Sequence, residues 1–174
     1  MTGEAPTFVT RSADDWRDWT DDELARRQAA LSVDFGGDRL NRNEVASLER
    51  LQSLAPDIPL REKIMWIPQF RSPVPLNDFH WRANGNLVVD MKTTGAKYSP
   101  IHRLIKRSVF VSKHSPLSAA QLKENFIIDI CPARLSVKLR GQLAKYNLRN
   151  PDNRLSRLWV LSRDGLEEIE LLET

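Results

Sequence analysis

The chain has 174 residues, 41% of them apolar, and carries 26 Lys and Arg against 23 Asp and Glu for a net charge of +3. That length suits one domain and that apolar fraction supports a core, which excludes a disordered chain; no run approaches the roughly 18 apolar residues of a membrane-crossing helix. Cys131 is the single cysteine, which excludes an internal disulfide and a cysteine zinc cluster and suits a reducing compartment.

Residues 1–11 read as loose, and the opening "MTGEAPTFVTRSADDW" has neither the basic start nor the apolar stretch of a signal peptide. In "TDDELARRQAALS", Thr20 and Glu23 stand in capping-box spacing, which predicts a helix from about Asp21 to Ser32, ended by "DFGGD". "NRNEVASLERLQSLAP" predicts the next helix, with Val45, Leu48, Leu51 and Leu54 on one stripe and Pro56 closing it. "KIMWIPQF" reads as a short strand ended by Pro68, and "RSPVP" as a stiff connection. Two strands follow, at about 77–82 and 86–92, around Asn84-Gly85. "SPIHRLIKRSVFVSK" is a helix with Ile101, Leu104, Ile105 and Val109 as its apolar stripe. "NFIIDIC" has the short unbroken apolar run of a buried strand. "ARLSVKLRGQLAKYN" is a further helix on Leu135, Leu139 and Leu143, and "RLWVLSRDGLEEIEL" a hairpin turning at Asp164-Gly165. The core order is helix, three strands, helix, strand, with an added helix and C-terminal hairpin: a mixed α/β sandwich. Residues 1–40 are expected as an acidic extension with one helix, and residues 41–174 as the main domain.

Charge is unevenly placed. Residues 1–62 hold 13 acidic and 8 basic side chains, whereas residues 63–174 hold 10 and 18. From Met91 to Lys123 there are seven Lys or Arg and no acid. A one-sign stretch of that length points to a polyanion such as nucleic acid; a solvated helix face is the plainer reading.

The stretch "PLNDFHWRANGNLVVDMK" poses a question of register. A two-residue turn at Asn84-Gly85 pairs Ala83 with Asn86 and points Asp78 away from Asp90. A three-residue loop with Gly85 left-handed pairs Arg82 with Asn86 and sets Asp78 opposite Asp90, on the face shared with Lys92. Asn-Gly fits both. In the second register two carboxylates crowd each other, which a raised pKa, a basic partner or a bound cation relieves. A hard divalent ion is often held by one or two carboxylates, and Lys92 would face a phosphate oxygen, which makes a phosphodiester site. The plainer reading is a surface charge ladder.

These residues carry a resemblance. Asp78 after a proline-containing connection, eleven intervening residues, then Asp90-Met91-Lys92 on the next strand resembles the motif of the PD-(D/E)XK nuclease superfamily. The element order over about residues 41–131 is similar to its restriction-endonuclease-like core. The chain departs from the pattern in Asn77 before Asp78, with Pro73 and Pro75 as the nearest prolines, and in Asp90 where glutamate is common. Over some 130 residues it is most similar to the C-terminal tRNA nuclease toxin domains of contact-dependent growth inhibition systems.

The resemblance implies metal-dependent phosphodiester hydrolysis of RNA, with tRNA favoured. Asp78, Asp90 and Glu44 would hold a divalent ion, magnesium or manganese with zinc as the alternative, and Lys92 would complete the catalytic set. Glu49 is the substitute for Glu44, whose plainer role is a favourable acid at a helix start. Lys97, Arg103, Lys106, Arg107 and Lys113 would grip phosphates. Thr93 and Thr94 would either position the scissile phosphate or end a strand. Trp81 and Tyr98 are candidates to stack on RNA bases, and Trp66 suits the core. His80, His102 and His114 have no zinc spacing; His102 is either an acid–base group or a surface histidine. A cognate acidic immunity protein is an expected partner, and action in the cytoplasm after delivery within a larger secreted chain is the expected location. The rivals are a DNA endonuclease of the same fold and a non-catalytic nucleic-acid or protein-binding module.

Overall fold

Two sets of apolar side chains, one on each side of a central sheet, organise this molecule. Its computed structural model describes residues 12–70, 72–74, 76–115 and 121–173; the stretch 1–11, expected to be loose, and Pro75 lie outside the described residues. After a 3-10 turn over Ala13–Asp18 comes α1 (Asp21–Ala30), started by the Thr20 hydroxyl accepting from the Glu23 N–H at 3.1 Å. The helix α2 (Arg42–Ser53) opens on a capping box in which Glu44 Oε2 accepts from the Asn41 N–H at 3.2 Å. It stops at Ser53, so Leu54, expected on the buried stripe, is exposed instead. A short α3 (Leu60–Lys63) leads into β1 (Ile64–Trp66), followed by β2 (Phe79–Trp81) and β3 (Leu87–Thr93). Then come α4 (Tyr98–Lys113), β4 (Asn125–Asp129), α5 (Val137–Ala144), α6 (Tyr146–Arg149), β5 (Arg157–Ser162) and β6 (Gly165–Glu168).

The fold is mixed α/β, with an open six-stranded sheet in the order β1-β2-β3-β4-β5-β6. Strands β1, β2 and β3 are antiparallel neighbours, β3, β4 and β5 are parallel, and β6 returns antiparallel. Parallel neighbours need crossovers, supplied by α4 and by α5 with α6. The single helix expected over "ARLSVKLRGQLAKYN" is broken at Lys145, and the final turn is Arg163-Asp164, because Ser162 pairs with Gly165.

Strand alternation sorts the core. Val89, Met91 and Ile127 pack with Trp159 and Leu161 against Val45, Leu48 and Leu51 of α2. Phe126, Ile128, Leu158 and Val160 pack against Ile101, Ile105 and Val109 of α4, Leu139 and Leu143 of α5, and Tyr146. Covered on both faces, β4 needs the unbroken apolar run it has. The described part of the expected 1–40 extension contributes Trp19, Leu31, Phe35 and Leu40 to the α2-side cluster. Of its acids, Asp14, Asp15, Asp18, Asp21, Asp22 and Asp34 lie exposed, while Glu23 and Asp38 are partly buried.

The β2–β3 ladder pairs Trp81 with Leu87, His80 with Val88 and Phe79 with Val89. That is the register in which Arg82 faces Asn86. The connection is wider than either tight turn: a 3-10 turn over Arg82–Asn84, then Gly85 at φ 68° and Asn86 at φ 57°. Left-handed backbone at two consecutive positions favours the glycine and asparagine found there.

Candidate functional site

Within β3, Val89 and Met91 face α2, so Asp90 and Lys92 belong to the opposite face, where Asp90 pairs with Phe126 and Lys92 with Ile128 of β4. Asp90 is 1% exposed. Two ammonium groups flank it: Lys92 Nζ lies 3.1 Å from Oδ2 and Lys123 Nζ 3.1 Å from Oδ1. Lys123 is aligned as a hydrogen-bond donor, whereas Oδ2 receives no aligned donor. Lys92 therefore attracts that oxygen without saturating it, and a buried acceptor in that condition favours a further partner.

The pairing ladder ends at Phe79, and Asp78 departs from it in a specific way. Its N–H donates to Val89 O at 2.9 Å while its own Oδ2 accepts from the Met91 N–H at 2.7 Å. The side chain thus supplies an acceptor to the strand edge, and the carboxyl lies against Met91, the neighbour of Asp90. Although part of Asp78 remains accessible, its carboxyl is enclosed. Burial first, then the Asp90 charge, push its pKa up to about 8, against the Met91 N–H and the two lysines. Asp78 therefore keeps its proton near neutrality unless another cation arrives.

Glu44 does not complete a three-carboxylate set. It stands on α2, against the other sheet face, with its carboxylate engaged by Asn41. Burial raises its pKa, and Lys92, Asp38 and Asp90 act on it at longer range. Among the described residues no three His, Cys, Asp or Glu side chains gather closely enough to hold a metal ion. Glu49, the substitute, is bound by Arg27 at 2.7 Å on the α1 side. What remains, Asp78 and Asp90 with one oxygen lacking a donor, fits a hard divalent ion that keeps most of its waters.

The other expected residues divide by location. Lys97, Arg103, Lys106 and Arg107 are exposed on or beside α4, while Lys113 donates to Asp152 O. Thr93 faces α2, its hydroxyl 3.3 Å from Ser47 Oγ and 3.5 Å from Asn43 Nδ2, which is the strand-end role. Thr94 lines a separate crevice with Gly95 and Cys131, where burial and Asp129 push the thiol up to about 12, too high for a nucleophile. Trp66 is buried as expected, Trp81 packs edge-on against Trp159 at 4.9 Å, and Tyr98 stacks on His102 at 5.5 Å. His102 is further held 2.9 Å from Asn150 Oδ1. His80 lies on β2 and His114 caps α4.

Sequence reasoning missed Lys123 as a partner of Asp90. Its one signal was its place at the end of the acid-free stretch. Parallel pairing of β4 with β3, together with the Lys123 N–H donating to Ser112 Oγ of α4, carries it to the carboxylate.

No family model, curated protein or solved structure matches this chain.

Proposed function

We propose that the protein is a metal-dependent ribonuclease of restriction-endonuclease-like fold, similar to the tRNA-cleaving toxin domains of contact-dependent growth inhibition systems. One observation carries the reading: the Asp78 carboxyl is lodged beside a nearly inaccessible Asp90 that has a lysine on each side. The order α2–α3–β1–β2–β3–α4–β4, in which α3 is a single short turn, supports the fold assignment, and the exposed cations of α4 support a phosphate-rich substrate.

A divalent ion held by Asp78 and Asp90 would supply an acidified water and screen the phosphate's charge. Lys92, paired with Asp90 at 3.1 Å, would turn its ammonium toward a phosphate oxygen and stabilise charge that develops there. Lys123 secures the other Asp90 oxygen and so fixes the rotamer that Lys92 depends on. Arg103, Lys106 and Arg107 contribute affinity without sequence choice. An acidic immunity protein over the basic surface, and delivery into a target cytoplasm, belong to the same proposal.

The test is a side-by-side digest of tRNA and duplex DNA, with magnesium or manganese and with chelator. The expected result is metal-dependent cleavage of tRNA, lowered by about a hundredfold or more in Asp90→Asn and Lys92→Ala, with circular dichroism showing both variants folded. Normal cleavage by both variants would refute the site. DNA cleavage alone would move the substrate, and no metal uptake by calorimetry would leave a binding module.

A further inference from the structure

The outward face of α4 combines free cations with exposed rings. Its buried stripe is Ile101, Ile105, Val109 and Ser112. At about 3.6 residues per turn, the stripe directly opposite is Arg103, Lys106, Arg107, Phe110 and His114, all exposed. We propose that this stripe docks a single strand of nucleic acid, with an unpaired base stacked against the Phe110–His114 ring pair and adjoining phosphates on Arg103, Lys106 and Arg107. The inference rests on the reading above that the substrate is nucleic acid.

Arg103, Lys106 and Arg107 have no ionic or hydrogen-bonding partner among the described residues. Arg140, Arg154 and Arg157, by contrast, are held by Glu167, Glu173 and Glu168. Like charges one turn apart on a helix repel, so a stripe left in that state favours an anionic partner. The segment itself supplies no relief, since no acid stands between Met91 and Lys123.

The rings stand at the far end of the cations. His114 Nδ1 donates to the Phe110 carbonyl at 2.9 Å, which holds its ring against the phenyl ring with centroids 4.1 Å apart and planes 24° from parallel. His114 thus takes one side of Phe110, yet Phe110 remains 52% exposed. The pair, rather than a single free ring, is the platform, and it is assembled before any ligand arrives, which lowers the cost of binding. A base that joins the stack shields apolar ring surface from water. Bases inside a duplex already stack on their neighbours, so the platform selects a single strand. The end of α4 that carries the rings is also the end joined to the carboxylate pair: Ser112 Oγ accepts the Lys123 N–H at 3.1 Å, and Lys123 Nζ reaches Asp90 Oδ1 at 3.1 Å.

The test uses the full chain in chelator and three probes: a labelled oligouridylate of about twelve nucleotides, a blunt RNA duplex of equal length, and vesicles containing phosphatidylserine. The single strand is expected to bind about tenfold tighter than the duplex. Arg103→Ala and Arg107→Ala should each reduce the slope of log affinity against log salt by about 0.7. Phe110→Ala and Phe110→Leu should weaken binding by about tenfold with the slope unchanged, while Phe110→Trp retains it. Circular dichroism checks that each variant is folded. Equal binding by Phe110→Ala, equal binding of the duplex, unaltered slopes in both arginine variants, or binding to vesicles but not to RNA would each overturn the proposal. Binding in chelator is measured apart from cleavage: metal-dependent cleavage by a protein whose Phe110→Ala variant binds normally sinks the platform alone, and single-strand binding with no cleavage in metal sinks the ribonuclease reading alone.

Discussion

Asp78 makes its own pH dependence. Its folded pKa of about 8 lies above the ordinary 3.8, so between those values the folded protein binds a proton that the unfolded chain has released. The stability this proton supports is complete below about 3.8 and is lost as pH rises through about 8. In chelator, Asp78→Asn should flatten that decline and raise the thermal midpoint at pH 8 by a few degrees, about 2–4 °C for each kcal/mol, with little change at pH 4. Parallel pH slopes for the two proteins would clear Asp78 of responsibility. Much at this scale was legible: Asp78, Asp90 and Lys92 lie within one short hairpin, where local turn chemistry limits the registers to two. Lys123 was not, because it reaches Asp90 across 33 residues through a parallel crossover. Glu44 was placed on the right helix, yet the sequence did not reveal that its helix packs on the far side of the sheet.

At the level of elements, a second buried acid joins α2 to β4 and has a structural task. Asp129 is fully buried; its Oδ2 accepts from Arg50 Nη1 at 2.6 Å and Ser47 Oγ at 2.5 Å, and its Oδ1 from the Cys131 N–H at 2.9 Å. Removing it leaves the Arg50 guanidinium with only Asp14 Oδ1 at 2.9 Å and Ala13 O at 3.2 Å, both on its Nη2, and strips its Nη1 of a partner. Asp129→Ala should cost about 3–5 kcal/mol in urea unfolding, and adding Arg50→Met should recover part of that loss. A loss within experimental error of zero would show that water, not Asp129, solvates the arginine. Element types were readable from periodicity: the apolar run of β4 and the stripes of α2 and α4 fall where the pattern puts them. Ends were less so. Leu54 continues the spacing of α2 but follows its last turn, Lys145 interrupts a stretch that reads as one helix, and α3 is too short to show a period.

Across the molecule, the acidic N-terminal third is built into the fold. Trp19, Leu31, Phe35 and Leu40 share one cluster with α2 and the sheet. A chain starting at Asn41 should therefore lose its cooperative thermal transition and bind a hydrophobic dye, as read by calorimetry and fluorescence; an unchanged sharp transition would mark residues 1–40 as an appendage. Charge density separated this third in the sequence, but charge lies on the outside and does not report what is buried beneath it.

An open sheet also has two unfinished borders. One is β1, only three residues long and bracketed by α3 and Pro68; the other is β6, four residues long, with Glu167 tied to Arg140 and Glu168 to Arg157. A strand from another copy would find few amide groups to join at either rim, and at the second would have to displace ion pairs to reach them. Stacking of copies side by side into a continuous ribbon is thereby disfavoured at both rims.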